Sequence, residues 1–245
     1  MKIICIDSSG LTASVALVED DNLIAEYNVQ YKKTHSQTLL PMLDELKKMV
    51  NLDLSTVDGI AIAKGPGSFT GLRIGSATAK GLAYSLDIPI IEIGTLEGLS
   101  YNLYGSSCLI VPMMDARRSQ VYTAIYKFDE DTLKMVPILD ECAIGVSELI
   151  DKVNEEVEKV NKSVIFLGDG VSVYENELKE NVKGKFSFAP AHMNRQRAAS
   201  FAYPAIGKLK ENDVVSAFDH APEYLRLSQA ERERNEGIRN KGSNY

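Results

Sequence analysis

Three short apolar segments open the chain, and polar turn residues separate them. Residues 3–6 and 12–18 are mostly apolar runs, whereas apolar and polar side chains alternate along residues 23–29. Short apolar runs and a period of two are typical of strands, while serine, glycine, aspartate and asparagine are typical of tight turns. The pattern therefore predicts a three-stranded meander at the start of the chain.

The next segment changes to a helical period. Apolar side chains recur at spacings of four, three and four residues, at Leu39, Leu43, Leu46 and Val50. This spacing predicts a helix over residues 36–50 with one apolar face. A proline is tolerated only in the first turn of a helix, so Pro41 predicts either a start near Thr38 or a kink.

A strand, a glycine-rich loop and a second helix follow. Residues 59–63 form a short apolar run that predicts a buried strand, residues 64–68 a loop, and residues 69–86 a helix. A further strand is predicted over residues 88–93, and a third helix begins near Thr95. Strands that alternate with helices indicate an α/β fold.

The second half of the chain repeats this organisation. Asp7 and Asp115 each end an apolar run, each precede a second strand pattern, and stand 108 residues apart. A helix over residues 146–160, a strand over residues 164–168 and a long amphipathic helix capped by Asn194 complete the second unit. The buried stripe of that last helix is predicted to be Ala198, Phe201, Ala202, Ala205 and Leu209. We predict a duplicated α/β fold in which both aspartates face one cleft.

This pattern divides the chain into three parts. Residues 1–106 form a first lobe that carries the two long helices, and residues 107–227 form a second lobe. Residues 228–245 are polar and charged, which predicts a solvated, flexible tail.

Composition narrows the classes of function. Hydrophobic residues make up 44% and charged residues 25%, which is typical of a folded globular protein. The net charge of −7 disfavours a protein that grips a nucleic-acid backbone directly. No apolar run is long enough to span a membrane. The three cysteines form no pair of the kind seen in metal or redox motifs, so we expect free thiols in a reducing cytoplasm.

Metal chemistry is not indicated. His35 is followed by Leu39 at the position where a helical metal pair needs its second histidine. The glycines around the second helix match neither a dinucleotide fingerprint nor a P-loop. The helix N-terminus after Gly67 and Ser68 suits an anion, although the glycines also permit a tight turn and nothing more. The sequence leaves both interpretations open.

Small residues recur every four positions on the second helix, at Gly71, Gly75, Ala79 and Ala83. A glycine inside a helix costs about 1 kcal/mol relative to alanine, so two at one spacing indicate a close approach by another element. The stripe either packs inside the monomer or forms an interface with another chain. On the second interpretation, Gly75→Leu should abolish association while the lobe stays folded.

The two aspartates suggest one enzymatic alternative. Asp7, Ser8, Ser9 and Asp115 could hold the phosphates and metal of a nucleotide across the cleft, as in a self-sufficient ATPase or a small-molecule kinase. Such an enzyme also needs a group that positions the attacking water, and the sequence identifies none. The alternative stays open at this point.

Several segments, taken together, resemble one family. The stretch Lys-Gly-Pro-Gly-Ser-Phe-Thr-Gly-Leu-Arg-Ile-Gly at residues 64–75 resembles the most characteristic segment of the TsaB family, the dimerisation subunits of the bacterial tRNA threonylcarbamoyladenosine machinery. Four other segments resemble the same family in the same order, at residues 6–9, 35–41, 115–122 and 222–226. The resemblance therefore covers nearly the whole chain.

The resemblance implies the two-lobed fold of actin, sugar kinases and Hsp70 proteins. It implies a non-catalytic relative of TsaD, the subunit that transfers threonylcarbamoyl to adenosine 37 of tRNA. TsaD-type proteins carry a His-x-x-x-His metal motif, of which this chain keeps His35 and replaces the second histidine by Leu39. No metal site and no catalytic residue are therefore expected.

The resemblance also implies partners and an interface. It implies pairing with a TsaD-type transferase, recruitment of a TsaE-type ATPase, a homodimer when the chain is alone, and contact with tRNA only through the partner. ATP or ADP is possible at the interface of the complex. The implied interface residues are Leu39, Leu40, Leu43, Phe69, Gly71, Leu72, Arg73, Gly75 and Ala79. Residues of a vestigial cofactor site are Asp7, Ser8, Ser9, Gly67, Ser68 and Asp115.

Overall fold

Two five-stranded sheets with matching strand order form the centre of the molecule. The computed structural model describes residues 1–31 and 34–226. The first sheet contains β1 (Lys2–Asp7), β2 (Ala13–Glu19), β3 (Asn22–Val29), β4 (Gly59–Gly65) and β5 (Ile90–Gly94), in the order β3-β2-β1-β4-β5. The predicted meander is confirmed, because β1, β2 and β3 pair in antiparallel fashion.

The second sheet repeats the first. It contains β6 (Leu109–Arg117), β7 (Gln120–Phe128), β8 (Met135–Gly145), β9 (Val164–Leu167) and β10 (Phe186–Phe188), in the order β10-β9-β6-β7-β8. β1 pairs antiparallel with β2 and parallel with β4, and in the same way β6 pairs antiparallel with β7 and parallel with β9. Asp7 and Asp115 lie at the carboxyl ends of these equivalent strands. The predicted duplication is confirmed.

Two helices cover one face of each sheet. In the first lobe these are α1 (His35–Met49) and α2 (Phe69–Leu86), and in the second they are α4 (Val146–Val160) and α5 (Asp169–Asn181). Leu39, Met42 and Leu46 of α1 pack with Ala79 and Ala83 of α2 on the first sheet. Burial of a leucine-sized side chain contributes about 1.5–3 kcal/mol, so these faces anchor the helices.

The predicted start of α1 near Thr38 is wrong. The helix begins at His35 and runs through Pro41. Pro41 and Gln37 are both exposed, so water can bond the carbonyl group that the proline leaves without an amide partner. The ring nitrogen Nε2 of His35 lies 2.8 Å from the carbonyl oxygen of Gly10, which ties the first residue of the helix to the β1–β2 turn.

The opposite faces of the two sheets are covered by exchanged segments. The segment α3 (Thr95–Ser100) follows β5 but packs through Leu96 and Leu99 on the second sheet. Conversely, a 3-10 turn (Ala198–Phe201) and α6 (Ala202–Lys210) cover the first sheet with Phe201 and Ala205. Each lobe therefore contributes a helix to the core of the other.

The long amphipathic helix expected to close the second unit is wrong in length and position. The structure has only the short α6, and Asn194 lies outside it. Pro204 occupies its first turn, where the missing amide hydrogen breaks no bond within the helix, which is consistent with a start at Ala202. The chain then returns to β5, where Val215 pairs with Ile90. The predicted tail, residues 228–245, lies outside the described residues.

Candidate functional site

Asp7 lies at the end of β1 and is fully buried. Its Oδ1 accepts hydrogen bonds from the backbone amide of Ser9 at 2.8 Å and from the Ser9 hydroxyl at 2.6 Å. Its Oδ2 has no partner among the described residues. Burial raises the pKa of Asp7 to about 6, although the bonds from Ser9 and the nearby His35 lower it.

The start of α2 packs directly on the turn that follows Asp7. The amide of Ser68 donates to the carbonyl oxygen of Ser9 at 2.7 Å, and the Ser8 hydroxyl donates to the carbonyl oxygen of Gly71 at 2.8 Å. A Cβ atom at Gly71 would overlap the backbone oxygen of Ser8, and one at Gly75 would overlap the Ser8 hydroxyl. Close packing inside the chain therefore accounts for both glycines.

The same contacts use amide groups that an anion would need. The Ser68 amide is bonded to Ser9, and the Gly71 amide donates to the Ser68 hydroxyl at 3.3 Å, which makes Ser68 the cap of α2. A Cβ atom at Gly67 would overlap the carbonyl oxygen of Ser9. The glycine loop thus packs against the β1–β2 turn and donates a hydrogen bond to it. A phosphate would have to displace these hydrogen bonds in order to bind the same amides.

A segment from the second half of the chain covers the turn. Gln196 is buried, and its amide atoms lie 2.7–2.8 Å from the position of a Cβ atom at Gly10. The amide of Ala198 donates to the Ser14 hydroxyl at 2.6 Å, and Arg197 donates three hydrogen bonds to the carboxylate of Glu26. Residues 196–198 therefore pack against the β1–β2 turn and the two strands that follow it.

Asp115 occupies the equivalent position in the second sheet, with partners of its own. Its Oδ1 accepts from the Arg117 amide at 2.9 Å and from the Tyr174 hydroxyl at 3.2 Å. The Asp115 amide donates to Asp169 at 3.3 Å, and burial raises the pKa of Asp169. Among residues 1–31 and 34–226, the structure records no hydrogen bond or ion pair between Asp115 and Asp7.

Sequence reasoning did not select Asp169, Tyr174 or Gln196 for the site. Asp169 could have been found, because it follows a strand and precedes a helix as the Gly67 loop does in the first lobe. Tyr174 and Gln196 carry no local signal, since each contacts a segment far away in the sequence. In the described part of the chain, no three His, Cys, Asp or Glu side chains lie close enough to share a metal ion.

Most residues of the predicted interface are buried within the chain. The buried ones are Leu39, Gly71, Leu72, Gly75 and Ala79. Their side chains are not available to a partner while the lobe is folded, so Gly75→Leu would disturb the lobe itself and cannot serve as a test of association. Leu40 and Arg73 are exposed, and Leu43 and Phe69 are partly exposed. Of the predicted interface residues, these four are therefore the ones at the surface.

Residues 222–226 contact both lobes. Arg73 lies 3.9 Å above the ring of Phe69, and its Nε donates to the Tyr224 hydroxyl at 3.2 Å. Two residues later, Arg226 donates to the carbonyl oxygen of Ala116 at 2.7 Å. Residues 222–226 thus connect the start of α2 to the end of β6 through these hydrogen bonds.

Glu141 forms a second link between the lobes. This residue of β8 accepts hydrogen bonds from the amide of Glu97 in α3 at 3.0 Å and from the hydroxyl of Tyr126 at 3.1 Å. Burial raises the pKa of Glu141 to about 7, and the two hydrogen bonds lower it. The contact between Glu141 and α3 therefore contains a carboxyl group whose pKa lies near neutral pH.

Comparison with known proteins gives consistent results. The family model of TsaD, tRNA N6-adenosine threonylcarbamoyltransferase, matches residues 23–234. The tRNA threonylcarbamoyladenosine biosynthesis protein TsaB of Bacillus subtilis is 35% identical over 231 residues, covering 94% of this chain and 96% of that protein. TsaB of Haemophilus influenzae is 27% identical over 235 residues, covering 92% and 94% respectively.

Solved structures show the same fold. A Pseudomonas aeruginosa protein, described as uncharacterized with similarity to the peptidase YeaZ, superposes with a TM-score of 0.77 at 25% identity, covering 92% of this chain and 99% of that one. A second structure, YeaZ from the same organism, gives a TM-score of 0.74 at 24% identity, with coverage of 91% and 99%. With the repeated sheet order, this confirms the predicted duplicated α/β fold with two lobes.

Proposed function

Because the chain belongs to the TsaB family of tRNA threonylcarbamoyladenosine biosynthesis proteins, we propose that it serves that pathway as a non-catalytic dimerisation subunit. In this proposal it pairs with a TsaD-type transferase, recruits a TsaE-type ATPase, and forms a homodimer when the transferase is absent. It works in the cytoplasm, and tRNA is contacted through the partner. ATP or ADP at the interface of the complex is a further part of the proposal.

The exposed face of α2 is the observation that carries the proposal. Ala77, Gly81 and Tyr84 lie three and four residues apart, so they share one side of the helix, and all three are exposed. No atom of residues 1–31 or 34–226 lies within 4 Å of a Cβ atom built at Gly81. On α1, which packs beside α2, Leu40 is 57% exposed. Small and apolar side chains allow another helix to approach closely.

The surroundings of Asp7 support a role without catalysis. One carboxylate oxygen of Asp7 is bonded to Ser9, and the buried Gln196 packs against Gly10 in the turn that follows Asp7. One helical turn after His35, the core residue Leu39 stands where the resemblance implies the second metal-binding histidine of a TsaD-type protein. These features favour a scaffold over a transferase.

Two glycines with open surroundings allow a matched test. Gly81 on α2 and Gly207 on α6 both have no atom within 4 Å of a built Cβ atom, and α6 covers the opposite face of the same sheet. We expect Gly81→Arg to abolish a one-to-one complex with the TsaD-type subunit, and Gly207→Arg to leave it intact, by size exclusion with light scattering. A Gly81→Arg chain that still forms the complex would contradict the α2 interface.

The enzymatic alternative has one observation in its favour. The buried Oδ2 of Asp7 has no partner among the described residues, and perturbed pKa values such as that of Asp7 are frequent at functional sites. A self-sufficient ATPase or kinase that uses Asp7 and Asp115 would hydrolyse or transfer the γ-phosphate of ATP with Mg²⁺, and Asp7→Ala would lose that activity. We expect the purified chain to show no turnover above that of Asp7→Ala.

A further inference from the structure

Phe218 has the most exposed of the large hydrophobic side chains in the described part of the chain, at 77%. It lies in the 216–220 turn, after the chain has returned to β5. The Ser216 hydroxyl accepts from the amides of Phe218 and Asp219, both at 3.2 Å, and donates to the Asp219 carboxylate at 2.6 Å. The amide of His220 closes the turn on the Ser216 carbonyl oxygen at 3.1 Å.

The rest of the lobe holds this turn firmly. Lys80 of α2 donates to the carbonyl oxygens of His220 at 2.8 Å and Phe218 at 3.4 Å. The buried ring of His220 lies with Nδ1 2.6 Å from the carboxylate of Glu92. The backbone of the turn is thus fixed from three sides while the Phe218 ring is left in water. Because the backbone of the turn is already ordered, binding of the Phe218 ring would cost side-chain entropy but little backbone entropy.

Phe218 extends the exposed face of α2. Its ring meets Tyr84 edge to face, with 5.4 Å between the ring centroids, and Tyr84 is 67% exposed. A shallow groove of about 390 Å³ lies beside the two rings, with Ile88 and Ala217 in its wall. Tyr84 shares its side of α2 with Gly81, so the aromatic pair and the α2 face form one continuous surface.

The charges around the pair indicate the chemistry of a partner. Asp87, at the end of α2, is exposed and lines the groove, and the exposed Asp219 stands next to Phe218 in the chain. The ammonium group of Lys80 is directed to backbone carbonyls. A second copy of this chain, as in the proposed homodimer, carries the same net charge of −7 and is therefore attracted less strongly to an acidic surface than a basic partner is. A pocket with apolar walls and basic residues at its edge fits the surface better.

We propose that Phe218 and Tyr84 form an aromatic anchor that inserts into an apolar pocket, edged with basic residues, on the TsaD-type subunit. The anchor rests on the proposed function, because it belongs to the same docking face. It adds a contribution from residues 216–220, near the end of the second half of the chain, whereas the implied interface involved only the helices of the first lobe. Aromatic side chains at the centre of an interface are frequent hot spots.

The anchor is tested by calorimetric titration of the full-length chain and its variants with the TsaD-type subunit. We expect Phe218→Ala to raise Kd by about tenfold or more, and Phe218→Tyr to stay close to the wild type. Tyr203→Ala is the matched control, since Tyr203 is exposed on α6, over the opposite face of the sheet. Asp87→Asn removes a charge at a left-handed residue that asparagine tolerates, and we expect weaker binding at low salt only.

The outcomes separate the anchor from the proposed function. If the wild type binds the subunit and Phe218→Ala binds equally well, the anchor is refuted and the proposed function stands. If the wild type does not bind, both fail. Sedimentation of the chain alone provides a third readout. If Phe218→Ala loses self-association but still binds the TsaD-type subunit, the surface belongs to a second copy and the anchor is overturned. The exposed position of Phe218 leads us to expect an unchanged Tm for Phe218→Ala.

Discussion

Replacing Gly71 and Gly81 by alanine separates packing inside the chain from exposure to a partner. Both glycines lie on α2, ten residues apart. A Cβ atom at Gly71 would overlap the backbone oxygen of Ser8 and would lie 3.2 Å from His35 Cδ2, whereas one at Gly81 meets nothing within 4 Å. The same substitution in the same helix should therefore change the free energy of unfolding in opposite directions.

The magnitudes follow from these contacts. Alanine is favoured over glycine inside a helix by about 1 kcal/mol, so Gly81→Ala should be more stable by about that amount. At Gly71, overpacking against a backbone atom costs about 1–3 kcal/mol, and a shift of α2 would also weaken the 2.8 Å bond from the Ser8 hydroxyl. For a chain of this size, 1 kcal/mol moves Tm by about 2–4 °C. We expect Tm to rise by about 2–4 °C for Gly81→Ala and to fall for Gly71→Ala.

Thermal unfolding followed by circular dichroism, with urea midpoints as a second measure, tests this reasoning. Equal shifts for the two variants would refute it. A Gly71→Ala chain that keeps the wild-type Tm but no longer associates would restore the interpretation that the glycine stripe faces another chain.

Two further predictions concern buried carboxylates. The folded-state pKa of Asp7 is raised to about 6, so the native state binds that proton more tightly than the unfolded state, and stability is lost as pH rises from about 4 to 6. A shift of about two pKa units corresponds to about 3 kcal/mol. We therefore expect the stability of Asp7→Asn, relative to the wild type, to grow by up to this amount between pH 4 and 7 in urea titrations. A difference that does not change with pH would contradict this prediction. Glu141, with a pKa raised to about 7, loses its contribution between about pH 4.5 and 7. The free energy of unfolding of Glu141→Gln should therefore rise relative to that of the wild type over that range. At pH 8, the amides of α3 should exchange more slowly in Glu141→Gln than in the wild type, which would locate the effect at the contact between Glu141 and α3.

Elements with strong local signals were predictable from the sequence. The predicted bounds of α2, residues 69–86, match the structure, because Ser68 is a strong cap and a long apolar face follows it. The 108-residue offset between Asp7 and Asp115 indicated the duplication, since each aspartate ends an apolar strand and precedes another strand, and the family resemblance agreed with it.

Elements with weak local signals were missed. The edge strand β8 is only partly buried and contains Pro137, so it shows neither an apolar run nor a clean alternation. β10 has three residues, and α5 buries only Gly170 and Leu178. The exchange of α3 and α6 between the sheets was not predictable, because an amphipathic pattern shows that a helix has a buried face but not which sheet covers it.

The candidate site was predictable in its chemistry and not in its contacts. Asp7, Ser8, Ser9, Gly67 and Ser68 do come together, because the carboxyl ends of parallel strands meet at one edge of the sheet. The reason for Gly71 and Gly75 could not be read from spacing, since both interpretations give the same period of four. Only the position of Ser8 beneath α2 distinguishes them.

The most direct test of the scaffold account is the mass of the species formed when the full-length chain is mixed with the TsaD-type subunit of the same cell. Size exclusion with light scattering gives this mass without a catalytic assay. We expect a one-to-one complex that Gly207→Arg preserves and Gly81→Arg abolishes. Two separate peaks from competent, folded partners would contradict the account and make Asp7 and Asp115 the residues to pursue.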